Sequence, residues 1–493
     1  MAELKDQINE IMLKASEAFN VYKKVSAEKR AAFLRTIGEE IMNIGDELVE
    51  TVMAESNLPE ARVRGERGRT VGQLNKFADL IDEGSWCEAT IDVGDPGREP
   101  LPKPDIRKKL VPLGPVVVFG AGNFPLAFSV AGGDTASALA GGNPVVVKGH
   151  PAHPKTGALV AAAIEEAVEK CELPAGTFGF IDDAGYESGQ LLVKHPVTKA
   201  VGFTGSYQGG MALVKLAADR EEPIPVFAEM GSINPVVVME EALAIDHATI
   251  VSKLVASVNL GAGQFCTNPG LLITTKTDGY EAFVEELAKE VAATKGSQMF
   301  STLVLRNYEL NKDKMFSHSE VKLLGTGIGE EETGNVPPAL ATVSGADFIK
   351  NPHLHEEVFG PFSLLVVCEN KAELLDVVNG LKGQLTATVH AKESELPDNQ
   401  EIVDALLEKC GRLLLNGVPT GVEVCAAMQH GGPFPAASDS RFTSVGVSAI
   451  KRFVRPVAFQ DFPDSLLPAE LQNSNPLNIW RVVNDTWTNA AVK

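Results

Sequence analysis

The chain has 493 residues, too many for one hydrophobic core, so two or three domains are expected. Hydrophobic residues make up 44 % and charged residues 22 %, as in ordinary globular proteins, and the net charge of −21 speaks against non-specific binding to nucleic acid or to an anionic membrane. Six scattered cysteines (Cys87, Cys171, Cys266, Cys368, Cys410 and Cys425) contain no CxxC pair, so no zinc ribbon or thioredoxin-type motif is available and no metal is expected.

The start, Met1-Ala2-Glu3-Leu4-Lys5, is charged and leads straight into an amphipathic helix through Leu4, Ile8, Ile11, Met12, Ala15, Ala18 and Phe19. It carries no apolar signal region, and no uninterrupted membrane-length segment is read, so a reducing cytoplasm with free thiols is the expected compartment. Ser26 can cap a second helix carrying Phe33, Leu34, Ile37 and Ile41, and Asp46 can cap a third. From Gly84 to Pro112 the texture turns to Gly, Pro and charge, which predicts an exposed excursion or hairpin.

Strand-like apolar runs (Pro115–Phe119, Pro144–Val147, Lys199–Phe203, Pro225–Phe227) then alternate with helical stretches (Leu126–Leu139, Thr156–Val168, Gly209–Ala218). Such strands must be buried on both faces, as in a parallel sheet. A second series follows: Pro235–Met239, a helix near Ala248–Leu260, Leu271–Thr274, a helix near Tyr280–Ala293, Phe362–Val367 and Ala387–His390. The expected fold is α/β, with two doubly wound Rossmann-like domains and a cleft between them. The expected division is a cofactor domain over 1–230 with a hairpin at about 94–111, a catalytic domain over 231–440, and a C-terminal segment over 441–493.

Four segments carry chemistry. In Gly261-Ala262-Gly263-Gln264-Phe265-Cys266-Thr267-Asn268, small residues around a thiol let backbone and substrate approach it; a buried structural cysteine is the alternative. In Phe227-Ala228-Glu229-Met230-Gly231 a carboxylate ends a strand, where α/β sheets face their ligand crevice. In Gly120-Ala121-Gly122-Asn123-Phe124-Pro125 the Asn123 amide can donate to an oxyanion, or it caps a helix begun at Pro125. The fourth, Glu356-Glu357-Val358-Phe359-Gly360-Pro361, is an acidic pair before an aromatic turn, or only a solvated loop.

The order Asn-Phe-Pro, Phe-Thr-Gly-Ser, Glu-Met-Gly, Gln-x-Cys and Glu-x-Phe-Gly-Pro resembles the aldehyde dehydrogenase superfamily, from about Pro112 to the C-terminus. The strings PVFAEMGSINPVVV, GAGQFCTNPGLL and PTGVEVCAAMQHGGPFPAASDSR are similar to the branch of 2,5-dioxopentanoate (α-ketoglutarate semialdehyde) and NADP-linked fatty aldehyde dehydrogenases. The resemblance implies Cys266 as nucleophile, Glu229 as base, and Asn123 with the Cys266 N–H as oxyanion hole. It further implies Lys148 and Glu357 on the two riboses of the cofactor, Phe359 beside Glu357, and the helix start at Gly205, Ser206 and Gly210 on the pyrophosphate. The chain lacks the initial strand segment and Asn-Pro-Ala-Thr motif of the family. Relatives preferring NAD carry an acid three places after the lysine; here Pro151 stands there, with His150, His153 and Lys155 nearby. NADP is therefore expected, with NAD as the alternative. For an anionic aldehyde, Arg441 is the candidate cation, unless it pairs with Asp439. Phe124, Phe265 and Phe434 could instead line an apolar tunnel for a fatty aldehyde. Rival readings are a CoA-acylating enzyme, which has no need of Glu229, and a binding protein of the same fold. A homodimer or homotetramer is expected, with the strand near Phe453–Phe459 joining a partner's hairpin.

Overall fold

The computed structural model describes residues 2–329 and 335–492. Its first helix, Ala2–Tyr22, lays Ile8, Met12 and Ala15 against Val117, Val146 and Val201 of the sheet that follows. Ser26 caps the helix Ala27–Asn43, its Oγ accepting the Lys29 N–H at 3.2 Å. The helix Asp46–Ser56 starts one residue earlier than expected: Gly45 is its cap and Asp46 lies in the first turn. A fourth helix, Glu60–Glu83, has no counterpart among the sequence-based expectations, because Gly65, Gly68 and Gly72 and many charges mask its periodicity.

The first sheet has five parallel strands in the order Phe178–Ile181, Val145–Lys148, Val116–Phe119, Ala200–Thr204, Val226–Glu229. Strand order reverses between Val116–Phe119 and Ala200–Thr204, which opens a crevice at the carboxyl ends of the strands. The helix expected over Leu126–Leu139 is shorter, Gly133–Ala140. Residues 125–131 form turns instead, because buried Glu66 takes up the Leu126 and Ala127 N–H groups at 2.9 and 3.0 Å. Asn123 is thus not the cap of a helix beginning at Pro125.

The second sheet has seven strands in the order Lys322–Thr326, Ala339–Ser344, Phe362–Cys368, Leu271–Thr275, Val236–Val238, Gln384–His390, Cys410–Leu415, all parallel except the first. The stretch Glu240–Gly263 is long and apolar enough to cross a membrane by length and composition, but Glu240, Glu241, Asp246 and Lys253 interrupt it. In the fold, its Ile250, Val251, Leu254 and Val255 pack on Val236, Val238, Leu272 and Leu365.

A small third sheet joins Thr90–Asp92 and Ile106–Pro112, the expected hairpin, to Val454–Gln460, Arg481–Val483 and Thr486–Thr488. The tail strand pairs with the hairpin of its own chain, Val454 opposite Pro112 through Gln460 opposite Ile106, where a partner's hairpin was expected. The preceding turn imposes this. Ala449, Ile450 and Phe453 are buried in the first core, and Arg452 forms an ion pair at 2.7 Å with Asp134, so the tail leaves beside Pro112.

Candidate active site

Glu229 is the last residue of the strand Val226–Glu229, at the edge of the first sheet. Residues 436–438 run along that edge: Met230 N–H donates to Ala436 O at 2.8 Å and Ser438 N–H to Ala228 O at 2.9 Å. This return from the second sheet carries His430 and Ser444 onto the carboxylate. Ser444 Oγ donates to Glu229 Oε2, and His430 Nε2 lies 3.0 Å from Oε1, an ion-pair distance without hydrogen-bond alignment.

Cys266 reaches the same point from the other domain. Residues 261–263 all have positive φ, and a Cβ on Gly263 would overlap the Gly360 backbone, so the cysteine loop and the Phe-Gly-Pro turn meet backbone to backbone. Asn234 fixes the loop by donating to Cys266 O and Asn268 O, both at 2.9 Å. Cys266 Sγ lies 3.4 Å from His430 Nε2, and the donor atoms of Glu229, Cys266 and His430 all lie within 4.8 Å of one another. Asn123 Nδ2 donates to Gln264 O at 3.0 Å, two residues before the thiol, which leaves its second N–H free to face a reacting oxygen. His430 was absent from the sequence-based candidates. A histidine beside two glycines (His430-Gly431-Gly432) was the signal available.

The electrostatics of the cluster are unequal. Burial raises the Glu229 carboxyl, but His430, Ser444 and Cys266 together hold it below its ordinary range, so it is a carboxylate at neutral pH. Burial and then the Glu229 charge push the Cys266 thiol well above its usual value. Cys266 therefore rests as a thiol, and its ionisation requires a base.

The groups that the resemblance assigns to the cofactor lie around the crevice. Lys148 ends the strand Val145–Lys148, is 8 % exposed, and donates from Nζ to Asp183 O at 2.7 Å and Gly149 O at 3.3 Å. A third N–H remains for a ribose hydroxyl. Ser206 caps the helix Tyr207–Ala218, its Oγ accepting the Gly209 N–H at 3.2 Å, with Gly205 before it and Gly210 buried under Met230. Glu357 lies over Gly231, where a Cβ would overlap its carboxylate, and shares a crevice with Phe359, Ser232 and Asn268. These residues fit a dinucleotide: a buried lysine, an open helix start and a carboxylate over a glycine strip.

Three expectations need correction. His150 is no cation for a 2′-phosphate. Its ring stacks on His153 at 5.1 Å, and burial, aided by His153 and Lys148, pushes it down to about 3. Arg441 is 79 % exposed and its guanidinium is engaged by Asp439, with Nε 2.9 Å from Oδ1, so it does not serve the pocket. Phe434 is 55 % exposed and stands edge-on to Tyr207 at 6.0 Å, beside the helix start and apart from the other two rings. Phe124 and Phe265 do meet, at 5.4 Å, but Arg62 lies 4.6 and 4.7 Å over their rings, so that wall is not simply apolar.

Comparison with known proteins agrees with this geometry. Residues 2–433 match the aldehyde dehydrogenase family. The chain is 49 % identical over 468 residues to alpha-ketoglutaric semialdehyde dehydrogenase 2 of Azospirillum brasilense, covering 95 % of this chain and 89 % of that protein. It is 45 % identical over 484 residues to alpha-ketoglutaric semialdehyde dehydrogenase of Acinetobacter baylyi, covering 98 % and 92 %. In fold it resembles betaine aldehyde dehydrogenase of Staphylococcus aureus in complex with NAD+, with a TM-score of 0.78 at 20 % identity, over 93 % of this chain and 88 % of that one.

Proposed function

Because the chain belongs to the aldehyde dehydrogenase family, we propose that it oxidises α-ketoglutarate semialdehyde to the acid through a thioester on Cys266. The observation that carries this reading is the convergence of a thiol, a carboxylate and an imidazole within 4.8 Å at the meeting of two α/β domains. His430 Nε2, between Sγ and Glu229 Oε1, accepts the thiol proton, and the Glu229 carboxylate stabilises the imidazolium. The thiolate adds to the aldehyde carbon, and the free Asn123 N–H with the Cys266 N–H hold the oxyanion. A nicotinamide dinucleotide, which Lys148, the helix start at Ser206 and Glu357 would hold, would supply the hydride acceptor as the adduct on Cys266 collapses to the thioester. Glu229 then takes a proton from water, which attacks the thioester and releases the acid and the thiolate. Glu229 at this position favours hydrolysis over transfer to CoA.

The cofactor is NAD(P). Between the two, the surroundings of Lys148 favour NAD, against the preference drawn from Pro151. Asp183 and Asp182 act on Lys148, and His150 is uncharged, so the surroundings disfavour a 2′-phosphate. All six cysteines are free thiols, which suits a reducing cytoplasm. The working form is a homodimer.

Glu229→Gln tests the mechanism. Mixed with cofactor and aldehyde, the variant should release reduced cofactor in a burst near one per site. Steady turnover should then be slower by about 10²–10⁴-fold, the usual loss for a general base. Mass spectrometry should find the acyl group on the peptide carrying Cys266. Unimpaired steady hydrolysis without an adduct would falsify the role of Glu229.

A further inference from the structure

The unread helix Glu60–Glu83 presents Arg62, Glu66 and Arg69 at i, i+4 and i+7, on one face, toward the cysteine pocket. Two of the three are compensated. Glu66 accepts the Leu126 and Ala127 N–H groups and faces Arg62 Nε at 3.7 Å. Arg62 is further held between Phe124 and Phe265 and by Asn123 O at 3.4 Å. Arg69 is not compensated. Its Nε and Nη2 are buried without a hydrogen-bond partner, and it forms no ion pair among the described residues.

The guanidinium lies 5.4 Å over the ring of Phe128. That ring is 6.3 Å from the His430 ring, and His430 Nε2 is 3.4 Å from Cys266 Sγ. Arg69 is therefore separated from the reacting thiol by the rings of Phe128 and His430. Burial pulls its basicity down, while the Glu66 carboxylate opposes this. A half-buried guanidinium whose buried Nε and Nη2 donors are idle is costly to keep, and its planar fork matches a carboxylate.

We propose that Arg69 binds the carboxylate at the far end of an anionic aldehyde, holding the aldehyde carbon at Cys266 with Phe128 as the wall between. The proposal rests on the aldehyde-oxidising reading of the site and supplies the cation that exposed Arg441 does not. A cation serving only to favour the thiolate would speed the reaction of every aldehyde alike. One that anchors a carboxylate discriminates between them.

The test compares kcat/KM for α-ketoglutarate semialdehyde and for butanal in wild type, Arg69→Lys and Arg69→Met. The anionic-to-neutral ratio should fall by about 10²–10³-fold in Arg69→Met, chiefly through KM, and by less in Arg69→Lys, which keeps the charge but loses the fork. Glutarate should also slow alkylation of Cys266 by iodoacetamide in the wild type, which needs no variant to fold, whereas chloride at equal ionic strength should not. A wild type that prefers the anionic aldehyde while Arg69→Met keeps the same ratio overturns the role of Arg69 and leaves the substrate reading standing. A wild type with no such preference overturns both. Absence of protection by glutarate also counts against Arg69.

Discussion

Glu357 is a half-buried carboxyl over Gly231, pushed up to about 7 by desolvation, with the Ser232 N–H pulling the other way. An acid whose folded pKa is raised prefers its proton in the folded state. Stability from this group is greatest below its ordinary value of 4.5 and is lost as pH rises through 7. Ribose hydroxyls are donors and need the ionised form, so cofactor affinity should run the opposite way. It should weaken below pH 7, by up to about tenfold per pH unit. Titration calorimetry across pH 5.5–8.5 checks this; Glu357→Gln should bind more weakly at pH 8 and lose the slope, and an unchanged slope would exclude Glu357 as its source. His430 permits a second experiment at the same scale. Without its imidazole, Glu229 loses its neighbour at 3.0 Å and the Cys266 thiol loses its proton acceptor. In His430→Gln, iodoacetamide should alkylate Cys266 at least about tenfold more slowly at pH 7 and recover speed in alkali. Equal rates at pH 7 would leave Glu229 as the acceptor.

At the scale of elements, two glycine substitutions of the same kind should have opposite signs. Gly263 has φ +65° and a Cβ there would overlap the Gly360 backbone, so Gly263→Ala should cost about 2–4 kcal/mol and misplace Cys266. Gly68 lies inside the helix Glu60–Glu83 with nothing within 4 Å of an added Cβ, so Gly68→Ala should stabilise by about 0.5–1 kcal/mol. Urea unfolding of both variants checks the signs; stabilisation by Gly263→Ala would mean that the two loops are not in contact. The same helix marks where the sequence was hard to read. Leu74, Phe77, Ala78 and Ile81 repeat at helical spacing and are buried, but the amino-terminal half, with Arg62, Glu66 and Arg69, contains two glycines and little apolar surface. Its face is defined by what it meets, namely Phe124, Phe128 and Phe265 from distant parts of the chain. By contrast, strands such as Val116–Phe119 and Leu271–Thr275 are buried on both faces, and their unbroken apolar runs announced them.

At the scale of the whole molecule, Cys266 and Glu229 were legible because each stands in a local pattern of glycines or at a strand end. His430, Ser444 and Arg69 were not, because each reaches the pocket only when a long return or a separate helix folds over it. Assembly belongs to the same scale. The small sheet has Val454–Gln460 as one edge and Thr486–Thr488 as the other, and neither edge is covered by a further strand among the described residues. Near these edges lie Phe462, 49 % exposed, Leu466, 69 %, and the stacked pair Trp480 and Trp487, at 42 % and 54 %. Exposed aromatics beside open strand edges are costly for a monomer and favour a second copy. Light scattering at micromolar concentration should therefore give about twice the chain mass of 52.4 kDa. Trp480→Lys combined with Trp487→Lys should shift the population towards monomer, since two buried tryptophans are worth several kcal/mol in an interface. Cys266, Glu229, His430, Asn123 and Arg69 all come from one chain, so the separated subunit should retain the iodoacetamide reactivity of Cys266 even where turnover drops. A wild type that is monomeric at these concentrations would rule out assembly through this sheet. A monomeric double variant whose Cys266 no longer reacts would show instead that the pocket depends on its partner.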